Sequence, residues 1–196
     1  MLVKICGLVT EEHVQTAVSA GADAVGFVFA KSVRRINPAH AAEISKQVPS
    51  SSKKVAVMLH PTNEEWQDVL RRFRPDVLQT DADDFADLNV PGNIECWPVY
   101  REGNTASGIL YPTFLYEGAK SGRGETVDWT QAAAIAQQGN MILAGGISAA
   151  NVAEAVATVK PYGVDVSSAV ESAPGQKDTD LINEFISAAR AAEKNL

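Results

Sequence analysis

The sequence alternates between short apolar runs and longer amphipathic segments, and this alternation limits the possible folds more than any other feature. Each run has about three to seven residues, a length typical of strands that are buried on both faces. Eight runs are predicted to be strands: Val3–Cys6, Ala24–Phe29, Val55–Leu59, Val77–Gln79, Ile94–Tyr100, Thr113–Tyr116, Met141–Ala144 and Val164–Val166. Strands of this kind belong to a parallel sheet that helices cover on the outside.

Several segments between the runs have the period of an α-helix. Apolar residues recur at i, i+3 and i+4 within residues 14–18, 66–73, 152–159 and 181–189. This spacing predicts helices that pack one apolar face on a sheet. N-caps are expected at Thr10, Asn63 and Ser148, because short polar side chains accept hydrogen bonds from the first backbone amides of a helix.

Eight strands with intervening helices predict an α/β fold, a single (β/α)8 TIM barrel that spans residues 1–196 as one domain. The 196 residues leave about 24 per unit, fewer than is usual for this barrel, so some outer helices are expected to be short or missing. Residues 81–88 and 101–108 are the weakest helix candidates. An open doubly wound sheet is the alternative, but Cys6–Thr10 is not the glycine-rich turn expected there after the first strand.

Composition and charge exclude several classes of function. The net charge of −7 argues against a nucleic-acid partner or an anionic membrane. No apolar run approaches the roughly 20 residues of a membrane-spanning helix, and the N-terminus does not resemble a signal peptide. The two cysteines are expected to be reduced thiols of a cytoplasmic protein, although one disulfide stays open as an alternative. No metal-ligand spacing is present, and the oligomeric state cannot be derived from these features.

In a (β/α)8 barrel, the active site lies at the carboxyl ends of the strands. The residues expected there are Cys6 after the first strand, Arg34 after the second, His60 after the third, Asp81 after the fourth, Glu117 after the sixth, Gly145 and Gly146 after the seventh, and Asp165, Ser167 and Ser168 after the eighth. Cys6 either fills space as a small apolar side chain or acts chemically, and the latter requires an environment that ionises the thiol.

The last two loops predict a phosphate site. Gly145 and Gly146 precede a predicted helix, and Ser167 and Ser168 follow the eighth strand. Exposed backbone amides after strands seven and eight are the usual phosphate ligands of this fold. A small-molecule ligand with a phosphate group, such as a sugar phosphate, is therefore expected.

Several motifs together resemble the phosphoribosylanthranilate isomerase family of tryptophan biosynthesis. They are Lys4–Gly7, Gly21–Phe29, Leu143–Ile147, Gly163–Ser168 and the tail from Val170 to Asp178, in the family's order. The resemblance implies a cofactor-free Amadori rearrangement of N-(5-phosphoribosyl)anthranilate, in which a general acid opens the furanose ring and a general base removes the proton at C2.

The resemblance also implies roles for individual residues. The base of the family matches Cys6, and the acid is an aspartate at the position of Glu117, so this chain departs from the family by one methylene. Arg34, with Arg35 as its neighbour, matches the arginine that binds the anthranilate carboxylate. Asp165 matches an aspartate that contacts the substrate amine or a sugar hydroxyl.

Residues 79–82 form a second departure from the family. They read Gln-Thr-Asp-Ala, whereas the family commonly has Gln-Leu-His-Gly. Asp81 would repel an anionic ring substituent unless it were protonated or paired with Arg34. Residues 118–124 are expected to form a glycine-containing flap, in which Arg123 could contact an anion.

Two alternatives therefore stay open beside the isomerase. One is a related barrel isomerase of sugar phosphates with a shifted substrate, although the histidine-pathway relative would need aspartates where Cys6 and Tyr100 stand. The other is a barrel that binds a phosphate ligand but catalyses weakly, which Asp81 and Glu117 keep open.

Overall fold

The computed structural model describes residues 1–103, 111–118 and 127–194. Within these residues, eight parallel strands close into a barrel in the order of the sequence. The barrel strands are β1 Leu2–Cys6, β2 Ala24–Val28, β3 Lys53–Val57, β4 Val77–Asp81, β5 Glu95–Arg101, β6 Thr113–Glu117, β7 Asn140–Leu143 and β8 Gly163–Val166. The predicted (β/α)8 barrel is therefore confirmed, and the open doubly wound sheet is excluded because β1 pairs with β8.

Six α-helices of the described residues surround the barrel. They are α1 Glu11–Ser19, α2 Pro38–Ile44, α3 Asn63–Phe73, α4 Trp129–Ala136, α5 Val152–Val159 and α6 Thr179–Glu193. After β4, a 3-10 helix at Ala82–Ala86 replaces the outer α-helix, as the weak periodicity there predicted. A second 3-10 helix, Ser168–Val170, follows β8 and leads into a short hairpin of β9 Glu171–Ala173 and β10 Gln176–Lys177. Most of the segment 101–108 lies outside the described residues.

Two N-caps differ from the sequence expectation by a few residues. Thr10 caps α1 as predicted. Thr62, not Asn63, caps α3, because its hydroxyl accepts from the backbone amide of Glu65 while Glu65 accepts from the amide of Thr62. This reciprocal pair satisfies two amides that would otherwise lack a partner at the start of the helix. Asn151, not Ser148, stands at the N-cap position of α5.

Apolar side chains fill both layers of the structure. One cluster lies inside the barrel and contains Leu2, Ala24, Val55, Val77, Trp97, Val99, Leu115, Ile142 and Ala144. A larger cluster lies between the barrel and the helices, where Phe73 of α3 packs against Phe27 with ring centroids 5.0 Å apart. Burial on both faces explains why the strands appear in the sequence as continuous apolar runs. Within the described part of the chain, none of the helices combines the length and apolar character needed to cross a membrane.

We expect a side chain at Gly163 to disturb the closure of the barrel. An alanine Cβ there would lie 2.8 Å from the carbonyl oxygen of Leu2 on β1, closer than packed atoms tolerate. Gly163→Ala should therefore lower the free energy of unfolding by about 1–3 kcal/mol, measured by urea denaturation. Gly92→Ala is the control, because no atom lies within 4 Å of the added Cβ, and it should change stability by less than about 0.5 kcal/mol. Equal stability of the two variants would contradict this account of closure.

Candidate active site

The carboxyl ends of the strands surround one cavity of about 250 Å³. Side chains alternate along a strand, so the inward positions of β1 are those of Leu2, Lys4 and Cys6. Nine of the residues expected at the active site line this cavity, and His60 does not: the nine are Cys6, Arg34, Asp81, Glu117, Gly145, Gly146, Asp165, Ser167 and Ser168. The tertiary structure thus brings together residues that are far apart in the chain, while their roles in binding and catalysis stay predictions.

A larger groove of about 670 Å³ opens beside this cavity, between the segments after β2 and β3. Arg35 and His60 line it, but none of the residues expected to bind or transform a substrate does. The groove has the larger volume and would by that criterion be the candidate active site. The carboxyl groups, the thiol and the cations expected to act on a substrate line the smaller cavity instead. Arg35 is exposed and lines the groove, so of these two neighbouring arginines Arg34 is the one that lines the cavity.

Cys6 lies at the bottom of the cavity with only 7% of its surface exposed. Gly26 on β2 provides the space for the thiol, because a Cβ at Gly26 would lie 3.1 Å from the Cys6 Sγ. Burial raises the pKa of Cys6, although the positive charges of Lys4 and Lys177 act in the opposite direction. The raised pKa favours the protonated thiol, and a further positive charge nearby would favour its ionisation.

Lys4 is a site residue that the sequence analysis missed. Its ammonium group is fully buried and donates to Asp165 Oδ1 at 2.8 Å. Burial disfavours the charge of Lys4, but the neighbouring carboxylate outweighs burial, so the pKa of Lys4 is raised. The sequence contained a signal for this position. Side chains alternate between the two faces of a strand, so Lys4 shares the inward face of β1 with Cys6. Asp165 thus lines the cavity as half of a buried ion pair.

Arg34 is held in place by Glu171. The Nε and Nη2 atoms of Arg34 donate to the two carboxylate oxygens of Glu171 at 2.6 and 2.8 Å. Lys177 donates to the same carboxylate at 2.7 Å. Although burial opposes ionisation, these donors lower the pKa of Glu171 to about 2. Gly7 allows the approach of Arg34, because a Cβ at Gly7 would lie 2.6 Å from the Arg34 Cδ.

Asp81 and Glu117 share one cation, Arg101, which the sequence analysis did not identify. Arg101 Nη1 lies 2.5 Å from Asp81 Oδ1, and Nη2 lies 3.1 Å from Glu117 Oε1. Asp81 is therefore paired with Arg101 and not with Arg34, the partner considered from the sequence. The fifth strand was predicted to end at Tyr100, but β5 ends one residue later. Arg101 is therefore the last residue of the strand and pairs with Glu117 of β6.

His60 lies at the edge of this cluster. Its Nδ1 is 2.9 Å from Asp84 Oδ1, and its Nε2 is 3.6 Å from Asp81 Oδ2. The hydrogen bond to Asp84 raises the pKa of His60, whose side chain is 68% exposed. The backbone of His60 has a φ of 47°, and its amide donates to Asp84, so the segment after β3 is held against the 3-10 helix after β4.

The two predicted phosphate loops have different backbone support. Gly145 and Gly146 have φ values of 83° and 65°, in the left-handed region that favours glycine. The side chain of Asn151 fixes this turn, because it donates to the Gly146 carbonyl and accepts from the Ser148 amide, both at 2.8 Å. The turn therefore keeps its shape independently of a ligand.

The loop after β8 is tied to the base of the cavity. The hydroxyl of Ser167 donates to the Cys6 carbonyl at 3.1 Å, and Lys177 donates to the Ser167 carbonyl at 2.8 Å. Ser168 begins a 3-10 helix of three residues. Of the predicted flap, residues 119–124 lie outside the described part of the structure, including Arg123.

Comparison with known proteins gives one consistent family. The model of the N-(5'-phosphoribosyl)anthranilate (PRA) isomerase family matches residues 3–188. The N-(5'-phosphoribosyl)anthranilate isomerase of Listeria welshimeri is 38% identical over 210 residues, which cover 98% of this chain and all of the relative. The crystal structure of the isomerase from Thermotoga maritima superposes with a TM-score of 0.85 at 30% identity and covers 97% of this chain and 100% of that structure.

A further solved structure of the same kind contains a ligand. It is a phosphoribosyl anthranilate isomerase in complex with reduced 1-(o-carboxyphenylamino)-1-deoxyribulose 5-phosphate. It superposes on this chain with a TM-score of 0.84 at 31% identity, and the match covers 97% of this chain and all of that one.

The low pKa of Glu171 predicts a loss of stability in acid. A carboxyl group whose pKa is lower in the folded than in the unfolded state stabilises the fold above its unfolded pKa of about 4.5, and this contribution is lost as the pH falls towards about 2. The contribution reaches at most about 3 kcal/mol. Glu171→Gln should therefore flatten the dependence of the unfolding free energy on pH between 4.5 and 2, measured by urea denaturation. Glu154→Gln removes a charge from an exposed helix position and should leave that dependence unchanged; equal slopes in both variants would contradict the assignment.

Proposed function

The chain belongs to the N-(5'-phosphoribosyl)anthranilate isomerase family and is an isomerase of tryptophan biosynthesis, and we propose that Cys6 and Glu117 carry out its acid/base chemistry. The observation that carries this proposal is their common cavity: Cys6 at the end of β1 and Glu117 at the end of β6 line it from different sides of the barrel. A substrate between them can exchange protons with both groups.

The substrate is held first through its phosphate group. Backbone amides of the Gly145–Gly146 turn and of the loop at Ser167 and Ser168 are the proposed phosphate ligands. The rigid turn supports this role, because a preformed loop loses little conformational freedom when an anion binds. No cofactor is needed, since every later step is a proton transfer.

Glu117 opens the sugar ring in the first chemical step. Its carboxyl group gives a proton to the furanose ring oxygen, the bond from that oxygen to C1 breaks, and the electron pair of the anthranilate nitrogen forms an iminium ion at C1. The carboxyl group is then ionised and stabilised by Arg101 at 3.1 Å. The longer side chain of glutamate is compatible with this role because Arg101 fixes the position of its end.

Cys6 acts in the second step. The Cys6 thiol gives its proton to solvent, and the resulting thiolate removes the proton at C2. The electron pair of the broken C–H bond neutralises the iminium and gives an enolamine. The enolamine then gains a proton at C1 and loses the proton of its C2 hydroxyl, so that C2 becomes the carbonyl carbon of the aminoketose. The positive iminium is the additional charge that favours ionisation of a buried thiol, so the base is activated when the substrate requires it.

Arg34 and Asp165 position the substrate in this proposal. Arg34 offers the guanidinium atoms that Glu171 leaves available to the anthranilate carboxylate, and a planar fork suits a planar anion. Asp165 faces the cavity beside Lys4 and is placed to accept a hydrogen bond from the substrate amine or a sugar hydroxyl. Both contacts anchor parts of the substrate at some distance from the reacting carbons.

Substitution of the two catalytic residues tests the proposal. Cys6→Ala and Glu117→Gln should each lower turnover by about 10²–10⁴-fold, because each removes one proton-transfer group. Turnover is followed as the loss of anthranilate-type fluorescence with freshly made phosphoribosylanthranilate. Cys96→Ala is the matched control, since this second thiol lies on β5 and does not line the cavity. If Glu117→Gln retains full turnover, Glu117 is not the acid; phosphate-ligand binding without wild-type turnover would favour the weakly catalytic barrel.

The raised pKa of Cys6 predicts a specific pH profile. Ordinary pKa values of about 8.5 for a thiol and 4.3 for a glutamate carboxyl favour a thiol and a carboxylate near pH 7. The reactive pair, a thiolate and a protonated carboxyl, contains the same number of protons. Its share of the enzyme therefore does not change with pH in this range. The kcat/KM value should therefore be constant across neutral pH. Because burial raises the pKa of Cys6, the fall of about tenfold per pH unit should begin only above the ordinary range of a thiol, about 8.5. Initial rates between pH 6 and 10.5 measure this, and a decline that begins near pH 7 would contradict the assignment.

A further inference from the structure

Arg101 forms the link between two carboxyl groups of the cavity. Its side chain is only 20% exposed, and those of Asp81 and Glu117 are 17% and 14% exposed. Removing Arg101 would leave two carboxyl groups at the ends of β4 and β6 facing the same partly dehydrated space. Charges interact more strongly there than in open water, so the two carboxylates would repel an entering anion.

Asp81, the member of this cluster that ends β4, lies across the barrel from the proposed phosphate loops. In a closed barrel of eight strands, β3 and β4 stand opposite β7 and β8. A phosphorylated substrate bound at Gly145 and Gly146 therefore extends its other end towards Asp81 and Arg101. In the proposed reaction that end is the aryl carboxylate, a second negative charge.

Two other cations of the site have carboxylate partners other than Asp81. Arg34 contacts Glu171, and Lys4 contacts Asp165. Of the lysines and arginines that line the described part of the cavity, Arg101 is the one that lies within 4 Å of Asp81. His60 approaches Asp81 at 3.6 Å from the adjoining groove, but its side chain is 68% exposed and oriented by Asp84. Neutralisation of Asp81 therefore depends mainly on Arg101.

We propose that Arg101 is a specificity-determining positioning residue, which neutralises Asp81 so that the cavity accepts the carboxylate of the substrate. This inference rests on the proposed function and extends it to a residue at the end of β5. Arg101 acts through Asp81 and not by touching the carboxylate itself. The effect of losing Arg101 should therefore disappear when the charge of Asp81 is also removed.

Binding of two ligands tests this dependence. The first is reduced 1-(o-carboxyphenylamino)-1-deoxyribulose 5-phosphate, and the second is the same molecule without the carboxyl group. R101Q should weaken the carboxylate ligand about tenfold and the second ligand less than about twofold, because only the first carries the repelled charge. D81N/R101Q should bind the carboxylate ligand within about threefold of wild type, and R101K, which keeps the charge, should do likewise. Dissociation constants are measured by titration calorimetry.

Further measurements separate this role from a structural one. Arg72→Gln removes an arginine charge from an exposed pair on α3 and should change neither dissociation constant by more than about twofold. Equal weakening of both ligands by R101Q, or failure of D81N/R101Q to restore binding, would overturn the proposal. If R101Q does not fold, by circular dichroism, the comparison passes to D81N/R101Q and R101K, where loss of carboxylate binding would overturn it. A wild-type protein that binds neither ligand and does not turn over phosphoribosylanthranilate would contradict the proposed function instead.

Discussion

Hydrogen bonding between β1 and β8 closes the sheet into a barrel, and the geometry of the candidate active site depends on this closure. The register places Lys4 beside Asp165, residues separated by 161 positions in the chain, and their ion pair lies inside the barrel. The same closure brings the Ser167 hydroxyl to the carbonyl of Cys6. A buried ion pair costs desolvation and is weak evidence for stability. Its effect here is local, because it orders the inward face of β1 on which Cys6 lies and places two opposite charges near the thiol. Lys4 lowers the pKa of Cys6, and Asp165 raises it.

The cavity contains several carboxyl groups but is proposed to bind a substrate with two anionic ends. In the structure, carboxyl groups of the cavity are paired with cations. Asp165 is paired with Lys4, and Asp81 and Glu117 share Arg101. Behind the cavity wall, Glu171 holds Arg34 and Lys177 together. Pairing reduces the long-range repulsion of an anion, while the backbone amides of the glycine turn remain as ligands for phosphate. The two departures from the family pattern, at the ends of β4 and β6, thus share one cation.

Burial of Cys6 has two opposing consequences for catalysis. It raises the pKa of the thiol and so reduces the fraction of thiolate in the absence of a neighbouring positive charge. It also strengthens the interaction between a thiolate and the iminium that the first step produces. A thiol of this kind is a weak base before ring opening and a stronger one after it, and this order matches the order of the proposed steps. The neighbouring Lys4 and Gly26 supply the charge and the space for the thiol.

The sequence by itself determined the barrel, because eight doubly buried strands appear as apolar runs at regular intervals and their carboxyl ends form one face. From that rule the positions of Cys6, Asp81 and Glu117 at the cavity could be predicted, since each directly ends or follows a run. The partners of these residues could not be predicted, because an ion pair between neighbouring strands depends on strand register and on the exact end of each strand. β5 ends one residue later than predicted, at Arg101, and Arg101, not Arg34, is the partner of Asp81. The ionisation of Cys6 likewise depended on burial and on Lys4 and Lys177, which only the closed tertiary structure brings close to the thiol.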